Sequence, residues 1–197
     1  MRKLLLYLPL LLLLAAASCR KTGDTPVSFD PTSPAAARLQ IDVLRDTVDL
    51  RWKQMIDSDN QKVVATKAVL SELQRLPGAN VARAKQLDAV NDNLLSLRYD
   101  QQTMSVSERI DAYDMAQDSV LRALYTITQP HLSKSKDVES LTETIKVADN
   151  EVAGFRVRYD QAARMYNNYL QMHAETLKKA GRKYARLQPL PLFELKD

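Results

Sequence analysis

Residues 138–173 read VESLTETIKVADNEVAGFRVRYDQAARMYNNYLQMH, and the spacing of their apolar side chains dictates the predicted architecture. Eleven positions alternate steps of three and four residues without interruption, and ten of them are apolar or aromatic. Such steps keep side chains on one face of an α-helix. The segment therefore predicts a long helix whose seam packs against other helices, as in a coiled coil. The seam consists of Val138, Leu141, Ile145, Ala148, Val152, Phe155, Tyr159, Ala162, Tyr166, Tyr169 and His173.

Glycine and proline are distributed as expected of a helical protein. The 197 residues include only four glycines and eight prolines, whereas an average chain has about 7% glycine. No proline occurs within 35–76, 79–129 or 131–188. Proline costs about 3 kcal/mol in a helix interior, and sheet proteins need glycine for their tight turns. The composition therefore predicts an all-α fold and excludes most β folds.

A first long helix is predicted from Pro34 to the Pro77-Gly78 pair. Ser33 is a suitable N-cap, and proline fits the first helical position because its missing N–H costs nothing there. Trp52, the only tryptophan, is expected to anchor the core. Apolar residues recur along this helix and are interrupted by the polar stretch 57–62: Ala37, Ile41, Leu44, Val48, Trp52, Met55, Val63, Leu70, Leu73 and Leu76.

The middle of the chain contains two apolar series whose phases differ by two residues. The first comprises Leu87, Val90, Leu94 and Leu97 and points through Gln101 to Met104; the second comprises Val106, Ile110, Tyr113, Gln117, Val120, Leu124 and Ile127. Between them, Ser105-Val106-Ser107-Glu108 matches the capping box S-x-x-E. We therefore predict two short helices, of which the second begins at Ser105 and ends near Gln129-Pro130.

Two long and two short helices predict an antiparallel up-and-down four-helix bundle over residues 34–182. The alternative is a bundle of three long helices, in which 79–129 forms a single rod. Asp137 is the expected N-cap of the last helix, and Gly181 its left-handed stop.

Two further features of the C-terminal half are predicted. Gly154, within the last helix, is expected to permit close approach of a neighbouring helix. Residues 183–197 contain Pro189 and Pro191 and are expected to form an extended basic tail.

The chain opens with the features of a secretion signal. A basic pair precedes the apolar run 4–14, which is too short to cross a bilayer as a helix. Two cleavage sites compete: AAA at 15–17 suits an ordinary signal peptidase, whereas AASC at 16–19 resembles a bacterial lipobox. The only cysteine directly follows the apolar run, and this placement favours a lipoprotein signal over 1–18 with an acylated, palmitate-type Cys19.

The segment 19–33 is predicted to be a flexible tether, because it is polar, contains prolines and lacks helical periodicity. An acylated Cys19 would hold the mature protein on a membrane of the bacterial cell envelope. Arg20 stands where inner-membrane lipoproteins of Gram-negative bacteria carry Asp, which favours the periplasmic face of the outer membrane. Loss of Arg2 and Lys3 with the signal lowers the formal net charge from +4 to +2. Secretion and near-neutrality argue against nucleic acid as a partner.

Clusters typical of an enzyme or a metal centre are missing from the sequence. Thr128 and Leu170 stand three residues before His131 and His173, where a di-iron bundle requires Glu. HExxH, a phosphate-binding loop and GxSxG are also absent. His131 is expected on a surface loop and His173 at the end of the seam. We therefore predict a protein that is not an enzyme, with no catalytic, cofactor-binding or metal-binding residues.

Five basic residues after the seam form a candidate lipid-contact surface. Their positions suit either the negative end of a helix dipole or anionic lipid head groups beside the anchor. This basic cluster consists of Lys178, Lys179, Arg182, Lys183 and Arg186.

The last predicted helix resembles the LemA family. The family's acidic-Asn start corresponds to 149–153, and its closing proline-rich segment to 189–194. Trp52 matches an early tryptophan of the family, whereas Asp160 replaces one of its asparagines. The signature residues between the two segments are also our candidate interaction residues: Arg156, Arg158, Tyr159, Tyr166 and Asn167.

The resemblance implies a membrane-anchored, extracytoplasmic four-helix bundle without a catalytic motif, here with a lipid anchor in place of the family's transmembrane helix. We expect a non-enzymatic interaction or scaffold protein with an envelope partner of unknown identity, and self-association is a further alternative. A different function is binding or remodelling of anionic lipid through the basic cluster.

Overall fold

Five α-helices account for most of residues 30–193, the part of the chain that this computed structural model describes. No strand occurs among these residues, and the all-α prediction is confirmed. The predicted signal over 1–18 and Cys19 lie outside them. The helices are α1 Pro34–Leu73, α2 Val81–Leu97, α3 Ser107–Thr128, α4 Lys136–Met172 and the short α5 Ala174–Lys179.

The two long helices, α1 and α4, form the most extensive contact and run antiparallel. Asp42, near the start of α1, accepts a hydrogen bond from Tyr184, which follows α5. Lys62, in the C-terminal half of α1, contacts Asp149 in the N-terminal half of α4 at 3.1 Å. These contacts place the start of α1 near the residues that follow α4 and α5, and the C-terminal half of α1 near the N-terminal half of α4.

The short helices complete the up-and-down order. Arg98, which follows α2, donates to Asn60 of α1 at 2.8 Å, and Lys67 of α1 pairs with Asp92 at 2.7 Å, so α2 runs antiparallel to α1. Helix α3 returns beside α2 and also contacts α1 and α4. The four-helix bundle is therefore confirmed, and the alternative with three long helices is wrong.

The start of α1 follows the predicted chemistry, whereas its end falls short of the predicted Pro77-Gly78 pair. Ser33 Oγ accepts a hydrogen bond from the Ala36 amide at 3.1 Å, with Pro34 at the first helical position. The helix ends at Leu73, and the following turn contains Gly78 at φ 78°, a left-handed conformation that suits glycine.

The structure contains the predicted break between α2 and α3, but the residues that form it differ from those predicted. Helix α2 ends at Leu97 instead of reaching Met104. Asp100 Oδ1 then accepts hydrogen bonds from the amides of Gln102 and Thr103, which supports a 3₁₀ turn. The N-cap of α3 is Val106, which provides no side-chain hydrogen bond.

Ser105 therefore does not serve as the predicted N-cap, because its hydroxyl donates to the Gln102 carbonyl of the preceding turn. The predicted apolar series of α2 is also shifted. Val90 is 50% exposed, whereas Asn91 is buried and donates to the Val63 carbonyl at 3.1 Å.

The seam of α4 is covered by other parts of the same chain. None of its eleven residues is exposed, and Tyr159 and Ile145 are completely buried. The N-cap of α4 is Ser135, which accepts from the Val138 amide, so the assignment of Asp137 was wrong. Asp137 instead lies in the first turn, where its charge suits the helix dipole.

Three smaller predictions on α4 and its neighbours need correction. Gly154 does not face a neighbouring helix, since an added Cβ would first meet Arg158 of the same helix at 3.4 Å. His131 is buried instead of lying on a surface loop, because the 3₁₀ turn Gln129–His131 folds it inward. The last helix ends at Met172, and Gly181, at φ 127°, follows α5.

Candidate interaction site

The segment 187–193 lies extended along α4 and is held there through its main chain. Both ends of the Asn167 side-chain amide bind one residue: Nδ2 donates to the Leu190 carbonyl at 2.8 Å, and Oδ1 accepts from the Leu190 amide at 2.7 Å. Further along, the Tyr159 hydroxyl donates to the Pro191 carbonyl at 3.2 Å. Asp160 Oδ1 accepts from the Phe193 amide at 2.9 Å. Within the predicted tail 183–197, Tyr184–Arg186 forms a 3₁₀ turn instead of extended chain, and from here on we call only the extended residues 187–193 the tail.

The tail ends in a cluster of aromatic rings. The Phe193 ring stacks on Trp52 with 6.4 Å between centroids and an interplanar angle of 14°. It meets Tyr99 and Tyr159 edge-on at 6.0 and 5.6 Å. Edge-on and offset arrangements of this kind are the favourable geometries for aromatic pairs. We call Trp52, Tyr99 and Tyr159 the aromatic box.

A half-buried guanidinium closes the aromatic box on one side. The Arg156 Cζ atom lies 5.1 Å from the centroid of the Phe193 ring, within range of a cation–π interaction. Two nitrogens of Arg156 bind both carboxylate oxygens of Asp114 at 2.7 and 2.8 Å, and one also donates to the Tyr99 hydroxyl at 3.2 Å. A bidentate pair fixes the guanidinium plane, so Arg156 holds the box in position.

The ionisation states in the box follow from burial. Burial raises the pKa of Tyr159 to about 12; the charge of Arg45 lowers it by a smaller amount, and the carboxylates of Asp160 and Asp49 raise it. Burial likewise raises the pKa of Tyr99. For Arg156, burial favours a lower pKa, but hydrogen bonds and charge attraction from Asp114 and Tyr99 raise it overall. The box therefore combines neutral phenols and a fixed cation at neutral pH.

Beside the tail lies a surface groove of about 700 Å³. It runs between α1, the loop after α2 and the tail itself. Arg45 of α1 donates to Gln101 of that loop at 3.0 Å, which ties the two walls together. We call this surface, together with the tail's binding positions, the tail groove; its walls include Arg45, Trp52, Asp100, Gln101, Gln102 and Tyr166.

A second polar network crosses the interior of the bundle. Lys62 is only 2% exposed, and its ammonium binds Gln117 of α3 and Asp149 of α4. Asp59 pairs with Arg98 at 2.7 Å and accepts from Tyr113 and Gln117. These contacts connect three helices and the end of α2, and each charged group has a partner of opposite charge.

The basic cluster lies near the first turns of α1. All five of its side chains are exposed. Lys183 pairs with Asp42 of α1 at 3.4 Å, and Lys178 pairs with Glu175 at 2.6 Å. These two ion pairs are exposed and contribute little to stability. The surface therefore carries five cations, of which Lys178 and Lys183 form ion pairs.

The structure brings together three of the five candidate interaction residues. Arg156, Tyr159 and Asn167 surround the tail, as described above. Tyr166 is buried and forms part of the groove wall. Arg158 lies elsewhere on α4, where it is exposed and stacks on the Phe155 ring at 4.4 Å.

Sequence reasoning missed several members of the site. Tyr99 belongs to no apolar series, Asp160 appeared only as a departure from a family pattern, and Phe193 only as part of a tail motif. These residues come from separate elements, so no local spacing relates them. The usable signal was the joint occurrence of Trp52, the α4 signature and the proline-rich segment in one family pattern.

Among residues 30–193, no helix is both long and apolar enough to cross a membrane. The same residues contain no group of three or more His, Cys, Asp or Glu side chains placed to bind a metal ion. Comparison with known proteins found no matching family model, no matching curated protein and no matching solved structure.

Proposed function

We propose that this chain is a lipid-anchored protein of the bacterial cell envelope that acts as a non-enzymatic interaction or scaffold module of LemA type. The observation that carries the proposal is the hold of α4 on the main chain of an extended segment. Asn167, Tyr159 and Asp160 all bind backbone atoms of the tail. A helix face whose side chains bind main-chain atoms offers the same hydrogen bonds to an extended segment of another polypeptide.

The anchoring part of the proposal rests on the sequence before α1. The lipobox-like stretch places the acylated residue at Cys19, fifteen residues before Pro34. A segment of that length reaches at most about 50 Å. The bundle would thus work close to the membrane surface, on the periplasmic face of the outer membrane. Its partner would be another envelope protein.

Acylation is tested by Cys19→Ala in the native host with a labelled fatty acid. We expect loss of label and of membrane retention. Continued retention of an unlabelled variant, after high-salt washing, would contradict the anchor.

The interaction role is tested by photo-cross-linking in intact cells. A photoreactive residue at the exposed Gln102, in the wall of the tail groove and outside the tail, should capture an envelope protein. The matched control is Arg83, which is also exposed but lies in the first turn of α2. Equal capture from both positions, or none in any growth condition, would count against a partner at this surface.

A second candidate function is contact with anionic lipid, and the position of the basic cluster favours it. Lys183 and Tyr184 both contact Asp42, eight residues after Pro34, so the cluster lies at the end of the bundle from which the chain leads back to Cys19. Each Lys or Arg near an anionic membrane contributes about 1 kcal/mol.

Co-sedimentation of residues 20–197 with phosphatidylglycerol vesicles tests this function. Replacement of the five basic residues by Gln should reduce binding at least tenfold. The control variant removes the same charge from the opposite end of the bundle, at the exposed residues Arg75, Arg83, Lys85, Lys134 and Lys136. Equal loss in both variants would indicate only a general charge effect.

A further inference from the structure

We infer that the tail groove is a binding site for an extended segment of a partner protein that carries an aromatic side chain, and that the chain's own tail is the occupant this segment displaces. The inference rests on the proposed interaction role and is independent of the lipid anchor. The partner is defined by an extended main chain and one aromatic side chain, and the chain's own tail keeps the site closed until the partner displaces it.

The hydrogen bonds at the groove recognise main chain, not side chains. Asn167 binds the amide and carbonyl of Leu190, and the other two bonds reach the Pro191 carbonyl and the Phe193 amide. An extended chain leaves these groups free because it has no internal hydrogen bonds. Any extended segment with amides at the two matching positions can make the same four bonds.

Selectivity comes from the aromatic box. Trp52, Tyr99 and Tyr159 surround a single ring from three sides, and Arg156 lies over its face. Aromatic pairs contribute about 0.5–1.5 kcal/mol beyond the apolar area that they bury. An aromatic residue three positions after the residue bound by Asn167 is therefore the required feature of the partner.

The attachment of the tail to the groove permits its displacement by a partner segment. The tail belongs to no helix, and its main chain is held by four side-chain hydrogen bonds. Gln188 and Pro189 are exposed, and the remaining tail residues are half-buried. The half-buried Leu187, Leu190, Leu192 and Phe193 pack against the edge of the core. A segment held at the edge of the core, outside any helix, opens at a lower free energy than the helical core itself.

A different protein fits the groove better than a second copy does. The tail is joined to α5 by a short connection, so its effective concentration at the groove is on the order of millimolar. A second copy offers the same seven residues and gains nothing over the attached tail. A longer partner segment can also occupy the groove of about 700 Å³ beside the tail, and these extra contacts allow it to compete.

Hydrogen exchange of the unmodified full chain tests whether the tail opens. The Leu190 and Phe193 amides, which bind Asn167 and Asp160, should exchange at least 100-fold faster than the amide of Ala163, which is completely buried in α4. Exchange of all three at the same rate would show that the tail opens only when the whole bundle unfolds, and would overturn the inference.

Binding is tested by calorimetry with the synthetic peptide LQPLPLFELKD, residues 187–197, as the probe. The full chain carrying Phe193→Ala should bind it at least tenfold more tightly than the unmodified chain, because its own tail no longer fills the box. Adding Asn167→Ala to that chain, or replacing the peptide's phenylalanine with alanine, should abolish binding. Should Phe193→Ala fail to fold, Phe193→Leu keeps an apolar side chain and serves the same purpose.

A folded variant that binds the peptide no better than the unmodified chain would overturn the inference. Concentration-dependent dimerisation of the unmodified chain, abolished by Asn167→Ala, would assign the groove to a second copy and would also overturn it. These measurements use purified protein, so a failure of the cellular cross-linking or of acylation leaves their outcome unaffected.

Discussion

Asn167 illustrates how much one side chain contributes to the placement of the tail. Its amide makes two hydrogen bonds to a single residue, and each such bond is worth about 0.5–1.5 kcal/mol. Asn167→Ala should therefore weaken the docking of the tail by about 1–3 kcal/mol. The measurement is the rate of limited proteolysis within 187–193, which should rise at least fivefold. The exposed neighbour Asn168 is the control, since Asn168→Ala should leave that rate unchanged.

The buried Lys62 allows a second prediction, based on unequal burial within one ion pair. Lys62 is 2% exposed, whereas Asp149 is 39% exposed. Asp149→Ala leaves an ammonium in the interior without its anion, and loss of one partner of a buried pair costs about 3–5 kcal/mol. Lys62→Met fills the same space without charge and leaves Asp149 in contact with water, so it should cost about 1 kcal/mol. Chemical denaturation compares the two, and an equal or reversed order would contradict this account.

Among the helices, the clearest prediction concerns glycine. Gly154 lies inside α4, and an added Cβ meets only the end of the flexible Arg158 side chain. Gly154→Ala should stabilise the bundle by about 0.5–1 kcal/mol, because alanine is the better helix former. Gly78→Ala should instead destabilise it by about 1–2 kcal/mol, since φ there is 78°. Thermal unfolding of both variants should show midpoint shifts of opposite sign.

The sequence patterns predicted elements better than their ends. The α4 seam and the phase change in the middle of the chain were sufficient for four helices, because periodicity reflects burial directly. The ends were set by competing local bonds: Ser135 in place of Asp137 at α4, and the Asp100 turn before α3. Such competition depends on the backbone geometry at the helix ends, and the spacing of apolar residues in the sequence does not reveal that geometry.

For the molecule as a whole, the buried tyrosines predict a decline of stability at high pH. An unfolded tyrosine ionises near pH 10, whereas burial raises the pKa of Tyr159 to about 12 in the folded chain. The folded state therefore binds more protons between these values, and its stability, present in full below pH 10, falls as pH rises through 12. The contribution of Tyr159 should amount to about 2 kcal/mol of lost stability at pH 11.5.

Denaturation midpoints at pH 8, 10 and 11.5 provide the measurement. The chain with Tyr159→Phe is the control, because it should lose less stability over the same range. Parallel pH dependence of the two proteins would show that the Tyr159 phenol does not resist ionisation as described.

The functional surface was less predictable than the bundle. Asn167 and Tyr159 could be selected from a family pattern, and they do hold the tail. Tyr99 and Phe193 could not be related to them, because they meet only after α2 has ended and the chain has turned back along α4. Juxtapositions across long sequence separations depend on the complete fold.

The stacking of Phe193 on Trp52 has a practical consequence. Trp52 is the only tryptophan in the sequence, so the intrinsic fluorescence of the protein comes mainly from one indole that the tail covers. Departure of the tail would expose this indole to water and shift its emission to longer wavelength. The chain thus carries its own optical reporter of tail position, which requires no label and can be followed during a titration.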